Sequence, residues 1–138
     1  MAAQSATRPT FGVGRIWLPR GGVPTSLGSM TLQAIEQATL PHGNFEGYLH
    51  GSEVSVIFER VAEDGTGPRL HRHPYSETFV IRSGRALFTV DGKEFEAVGG
   101  QILVVEAMVP HKFRTLGADL YEAVHIHAND RFETEWLE

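Results

Sequence analysis

The stretch Gly65-Thr-Gly-Pro-Arg-Leu-His71-Arg-His73-Pro-Tyr75-Ser-Glu77-Thr-Phe79-Val-Ile-Arg-Ser-Gly84 decides how this chain is read. His71 and His73 stand two apart, and Glu77 follows His73 by four. On an extended strand, residues at even separations share a face, so these three side chains can point the same way. Imidazole and carboxylate together suit Fe, Mn, Co, Ni and Zn at neutral pH. An isolated His-x-His is more often a surface feature than a site. Its surroundings therefore carry the argument.

Around this stretch the chain breaks into short runs separated by turn residues. Val54, Val56 and Phe58 alternate with Ser55, Ile57 and Glu59, a two-residue period that predicts a strand. Glu77 to Ile81 continues in the same manner until Ser83-Gly84. Ala86 to Val90 and Lys93 to Ala97 flank Asp91-Gly92, a hairpin signal because a tight turn there needs positive φ at both central positions. Val98-Gly-Gly100 turns the chain into Gln101 to Val105. His111 to Thr115 and Leu120 to Ala128 complete a set of strands expected from about Met30 onward. Short strands with turns at this spacing indicate an all-β sandwich or barrel rather than alternating βα units. Only the end reads as helical: Asp130 with Glu133 resembles a capping box, and Phe132 and Trp136 share a face. A short C-terminal helix packing Trp136 and Leu137 onto the barrel is expected, the alternative being an unstructured tail.

The length of 138 residues, 41% of them hydrophobic and 21% charged, suits one domain with its own core. Lys+Arg 12 against Asp+Glu 17 gives a net charge of -5. Without a basic block the chain lacks the electrostatic footprint of a nucleic-acid binder. Zero Cys excludes thiolate catalysis, disulfides and cysteine zinc sites, and points to a reducing, cytoplasmic setting. Met1 to Thr10 holds no apolar run of signal-peptide type, and no window approaches the ~20 apolar residues of a membrane span. Residues 1–29 are expected as an N-terminal arm and 30–138 as a single barrel domain. Within the arm, Gly14-Arg-Ile-Trp-Leu-Pro19 is apolar. It could add as a strand to a neighbouring copy in a homodimer, or pack back on its own barrel.

With these residues in view, the stretch from Gly65 to Gly84 resembles the first conserved motif of the cupin superfamily. Gly65, His71, His73, Glu77 and Gly84 match that pattern of glycine, His-x-His, glutamate and glycine. A second motif follows in Gly100-Gln-Ile-Leu-Val-Val-Glu106-Ala-Met108-Val-Pro110-His111-Lys-Phe-Arg-Thr115. Gly100 and His111 match it, whereas Glu106, Met108 and Thr115 replace the usual Pro, Gly and Asn. A glycine normally permits the loop conformation that Met108 would resist, so the loop path is an open question.

The resemblance implies a double-stranded β-helix, a jelly-roll barrel, with one divalent transition metal ion per chain. His71, His73, Glu77 and His111 would ligate it. Fe, Mn, Ni, Co, Cu and Zn are not told apart by this set. Four protein ligands leave up to two octahedral positions for water, dioxygen or a chelating molecule. A cupin that retains these residues without a catalytic metal is the alternative.

The pocket is expected to include Tyr75, which shares the ligands' parity although Pro74 beside it leaves its direction open, and Phe79 and Phe113, which also fill the barrel with Ile81 and Phe88. His125 and His127 share a face with Tyr121 and Ala123, and the resemblance favours that face as the inner one. The bland alternative is two exposed imidazoles on an edge. Arg69 is a weak candidate for an anionic ligand, and Arg72, of opposite parity, is expected in solvent. Glu106 and Met108 would rim the mouth, with a solvated Glu106 the commoner case, and His42 and His50 read as surface residues. Together these features suggest a small metalloenzyme performing oxygenase-type oxidation, or isomerase or lyase chemistry, on a small polar organic molecule. A non-catalytic, metal-dependent binding or sensor protein is the second reading.

Overall fold

In the strand Tyr121–His127, Tyr121, Ala123, His125 and His127 are buried while Glu122, Val124 and Ile126 are partly exposed. That alternation is the fold in miniature: one face of each strand turns inward, and its partners are chosen to match. The computed structural model describes residues 32–138. The expected arm over 1–29, with its strand at Gly14–Pro19, lies outside the described residues.

Nine strands occur among the described residues: β1 (Ser55–Val61), β2 (His71–Arg72), β3 (Glu77–Ser83), β4 (Arg85–Val90), β5 (Lys93–Val98), β6 (Ile102–Val105), β7 (His111–Thr115), β8 (Tyr121–His127) and β9 (Glu135–Trp136). They form two antiparallel sheets, in the orders β1-β8-β3-β6 and β5-β4-β7-β2-β9. This is the expected all-β jelly-roll architecture. Between the sheets, Phe79, Ile81, Phe88, Phe113 and Tyr121 build the apolar core with Ala86, Ala97, Val105 and Ala123. Phe88 stacks on Phe113 at 5.2 Å and meets Phe79 edge-on at 5.0 Å. Such offset and edge contacts add to the burial of the rings.

Local chemistry explains the turns. Asp91 and Gly92 adopt φ of 49° and 76°, and Val90 pairs with Lys93, which is the tight hairpin the sequence predicts. Gly84 has φ of 73°, and a Cβ there would lie 2.6 Å from the Leu120 carbonyl oxygen. Glycine is needed at that position both for its conformation and for the close approach of β8.

Two expectations need correction. The segment expected as a C-terminal helix is extended at Glu135–Trp136, where it pairs with β2 as β9. Its competitor was the open edge of β2: Leu137 donates its N–H to Leu70, and Arg72 grips Glu135 through two bonds of 2.6 and 3.0 Å. A helix of so few residues has little cooperativity to set against those contacts. The second correction concerns residues 33–53, which hold the short 3-10 turns Gln37–Thr39, Pro41–Gly43 and Gly47–Leu49 in place of strands. Pro41, Gly43, Gly47 and Gly51 punctuate that stretch too closely for a ladder to run through it.

Candidate metal centre

Three strands converge on one end of the barrel. His71 on β2 faces His111 on β7 in direct register, and Glu77 opens β3 with His127 of β8 as its partner. His73 follows β2 just before Pro74 breaks it. One donor atom from each of His71, His73, Glu77 and His111 lies within 4.8 Å of the others, and all four residues are buried. Each histidine is oriented by a backbone carbonyl. Nδ1 of His71 donates to Arg69 at 2.7 Å, that of His73 to Glu133 at 2.7 Å, and that of His111 to Val109 at 2.9 Å. This commits an Nδ1 proton to each carbonyl and turns each Nε2 inward, the orientation that metal-ligating histidines show.

Nε2 of His111 lies 3.0 Å from Oε2 of Glu77. Those of His73 and His127 stand 3.1 and 3.2 Å from Glu77 oxygens, yet neither is aligned for a hydrogen bond. Burial alone would raise the Glu77 carboxyl; the imidazoles of His111, His127 and His73 outweigh it and hold the group far below the usual carboxylate range. Burial and its imidazole neighbours lower His71 despite its bond to the Arg69 carbonyl. At His73 burial works in the same direction, but Glu77 and the Glu133 carbonyl prevail and raise it. Buried acceptors converging on a carboxylate, with an unbonded His73 Nε2 among them, fit a divalent cation.

Beside the cluster opens a cavity of about 330 Å³, within the ~300–1,000 Å³ typical of small-molecule sites. Phe79, Phe113, His125 and His127 line it together with the four candidate ligands. His125 packs edge-on against Phe79 at 4.6 Å and Phe113 at 5.4 Å, and burial pushes it down to about 4, which keeps the ring neutral. Tyr75 departs from the expected pocket position. It is buried behind the wall, stacked on His73 at 5.1 Å, with its hydroxyl 3.1 Å from Nδ1 of His127. The same hydroxyl receives the Glu133 N–H at 3.0 Å and donates to the Glu133 carbonyl at 3.2 Å. Tyr75 thus ties β8 and the segment after it to the cluster without reaching the cavity.

Other candidates stay outside. Arg72 is committed to Glu135, and Arg69 lies over the Trp136 ring at 4.9 Å with a bond to the Glu138 carbonyl. His42 is exposed in a turn, and His50 stacks on Phe45. Glu106 is exposed and, like Met108, does not line the cavity. Met108 answers the question of the loop path. It adopts φ of 67°, the conformation a glycine would take there, and donates its N–H to the His73 carbonyl at 2.7 Å. Thr115, in place of the usual Asn, is buried; its hydroxyl accepts the Thr66 N–H at 3.0 Å and donates to the Glu63 carbonyl. It pins the loop whose Thr66, Gly67 and Pro68 line the cavity.

Sequence reasoning missed several lining residues, namely Ile57, Glu59 and Val61 on β1 and Phe132, Thr134 and Trp136 near β9. The period of β1 was legible, but its inner face carries Ser55, Ile57, Glu59 and Val61, while Phe58 is 40% exposed. The register of β1 on β8 turns Ile57, Glu59 and Val61 inward, and the pairing of β9 with β2 brings up Trp136; neither pairing is encoded in a local pattern.

The family model described as Cupin domain matches residues 57–130. The chain belongs to the cupin family, a class of double-stranded β-helix proteins. A search of curated proteins returns no match. Among solved structures, a cupin protein from Bacteroides fragilis aligns with TM-score 0.59 and 20% identity over 70% of this chain and 83% of that one. A double-stranded β-helix protein from Klebsiella pneumoniae gives 0.56 and 19% over 61% and 70%. The oxalate decarboxylase of Lactobacillus farciminis, in its formate complex, gives 0.60 and 18% over 68% of this chain but only 30% of its own. At these identities the likeness concerns the fold.

Proposed function

We propose that this protein is a metal-dependent enzyme acting on a small polar organic molecule, with one divalent transition ion held by His71, His73, Glu77 and His111. The observation that carries this reading is the triple orientation of the imidazoles. Three Nδ1 protons are committed to the carbonyls of Arg69, Glu133 and Val109, so three Nε2 atoms and a carboxylate converge beside a cavity, where they would serve as ligands. When bound, the ion supplies a Lewis acid and, for a redox-active metal, a centre for dioxygen-dependent oxidation. The chain's own residues shape what happens beside it. Phe79 and Phe113 exclude water, neutral His125 offers a proton donor and an acceptor to a bound molecule, and Tyr75 steadies His127. Oxygenase-type oxidation is the first reaction class to test, and isomerase or lyase chemistry the second. The absence of cysteine supports a cytoplasmic setting. No helix among the described residues is long and apolar enough to cross a membrane.

The test is elemental analysis of protein purified without added metal, followed by turnover of sugar acids, diketones and catechols under air and argon. About one ion per chain with product formation is the expected result. Ion-dependent binding without product under either gas reassigns the protein as a binder or sensor, and failure to retain any ion overturns the metal reading.

A further inference from the structure

Glu59 is a carboxylate that the metal cluster does not use. It lies on the inner face of β1, half-buried, and lines the same cavity as the histidines. Its register partner on β8 is Ala123, too small to cover it, and it has no hydrogen-bond partner among the described residues. The β1 residue level with Glu77, through their shared partner His127, is Ser55. Glu59 stands four positions further along, roughly 13 Å of strand at ~3.3 Å per residue. Between the two levels stand Ile57 on β1, Phe79 on β3 and Phe113 on β7, with the neutral ring of His125 on β8 among them. Among the described residues no Lys or Arg lines the cavity. A half-buried carboxylate opposite so small a residue lacks, among the described residues, the partner that such groups ordinarily have.

We propose that Glu59 sets the specificity of this cavity: it takes a hydroxyl or ammonium donor on the far end of a ligand whose near end meets the histidine cluster, and it disfavours ligands with a far carboxylate. The inference rests on the metal reading above. Burial and the charge of Glu77 raise the Glu59 carboxyl, as expected for an acid whose partner is brought by the ligand. A dicarboxylate would meet two acidic side chains and no basic one. A ring of catechol size with a donor at its far end suits a cavity walled by Ile57, Phe79 and Phe113.

The test uses protein reloaded with zinc, which is redox-inert, so that probes bind without being consumed. Zinc content is measured first, then calorimetric affinities for catechol and for its aminomethyl, hydroxymethyl and carboxylate derivatives substituted opposite one oxygen. Wild type is expected to bind the aminomethyl and hydroxymethyl probes more tightly than catechol, and the carboxylate probe least well. Glu59→Gln, with unchanged zinc content, should shrink the gap between the aminomethyl and carboxylate probes by about tenfold or more, as for a lost charge-assisted hydrogen bond. Glu59→Leu should abolish the advantage of both donor probes over catechol. An unchanged ranking in the two variants overturns the role of Glu59, as does zinc-loaded wild type that binds none of the probes, and both results leave the metal reading standing. Failure of wild type to hold zinc overturns the metal reading and this inference with it.

Discussion

The histidine cluster predicts a linkage that can be measured without knowing the substrate. Because the four donor atoms already lie within 4.8 Å of one another, an ion held by them in the folded chain would have no comparable site in the unfolded one. At about 100 times its dissociation constant it should add roughly 2.7 kcal/mol to the stability of the chelated protein. For a domain of this size, 1 kcal/mol moves Tm by roughly 4 °C, so the expected rise is about 10 °C. The perturbation is the His71→Ala, His111→Ala double variant, which removes the pair that faces across β2 and β7. Its own Tm will fall because two buried rings are lost, so the quantity read is the increment on adding the ion, followed by calorimetry in parallel with the chelated wild type. The variant should show no increment. An ion-induced rise equal to that of wild type would refute the assignment of these ligands.

Three further outcomes are expected. Thr115→Val removes the hydroxyl that serves both the Thr66 N–H and the Glu63 carbonyl; urea unfolding should show a loss of about 2–3 kcal/mol, and a change below the fitting error would contradict this role. Met108→Gly relieves a left-handed conformation at φ of 67° and should stabilise the protein by about 1 kcal/mol, with a lower urea midpoint speaking against it. Ile102 and Val104 stand 66% and 63% exposed on β6, an edge strand among the described residues, and we expect a homodimer; light scattering that gives the mass of one chain at micromolar concentration removes that expectation.

What could be read in advance divides along physical lines. His71 and His73 were legible as a pair because side-chain parity is a local property, and Asp91-Gly92 because its turn is set by two residues. Glu77 opens β3 in the other sheet, beyond the break at Pro74, so the family motif and not strand parity supplied it. His111 was different. Its place beside His71 depends on pairing between β2 and β7, which no local pattern encodes, and only the family resemblance supplied it. Glu59 escaped because β1 carries polar and apolar residues on both faces, so alternation could not say which face was inside. The segment from Asp130 to Leu137 misled for the opposite reason: a local helical pattern was present, but the unpaired edge of β2 offered more hydrogen bonds than a single turn could.

The carbonyl that orients His73 comes from Glu133, sixty residues further along the chain. During synthesis at ~5–20 residues per second, His73 therefore leaves the ribosome some 3–12 seconds before the group that fixes its tautomer. Tyr75 waits for the same residue to receive its N–H, and His71 for the arrival of Trp136, whose ring settles 5.3 Å away. In that interval the nascent chain carries the histidines of the cluster without their final orientation. Any selection among ions at this cluster would thus be a late event in the birth of the molecule, made by a finished barrel and not by a passing pair of histidines.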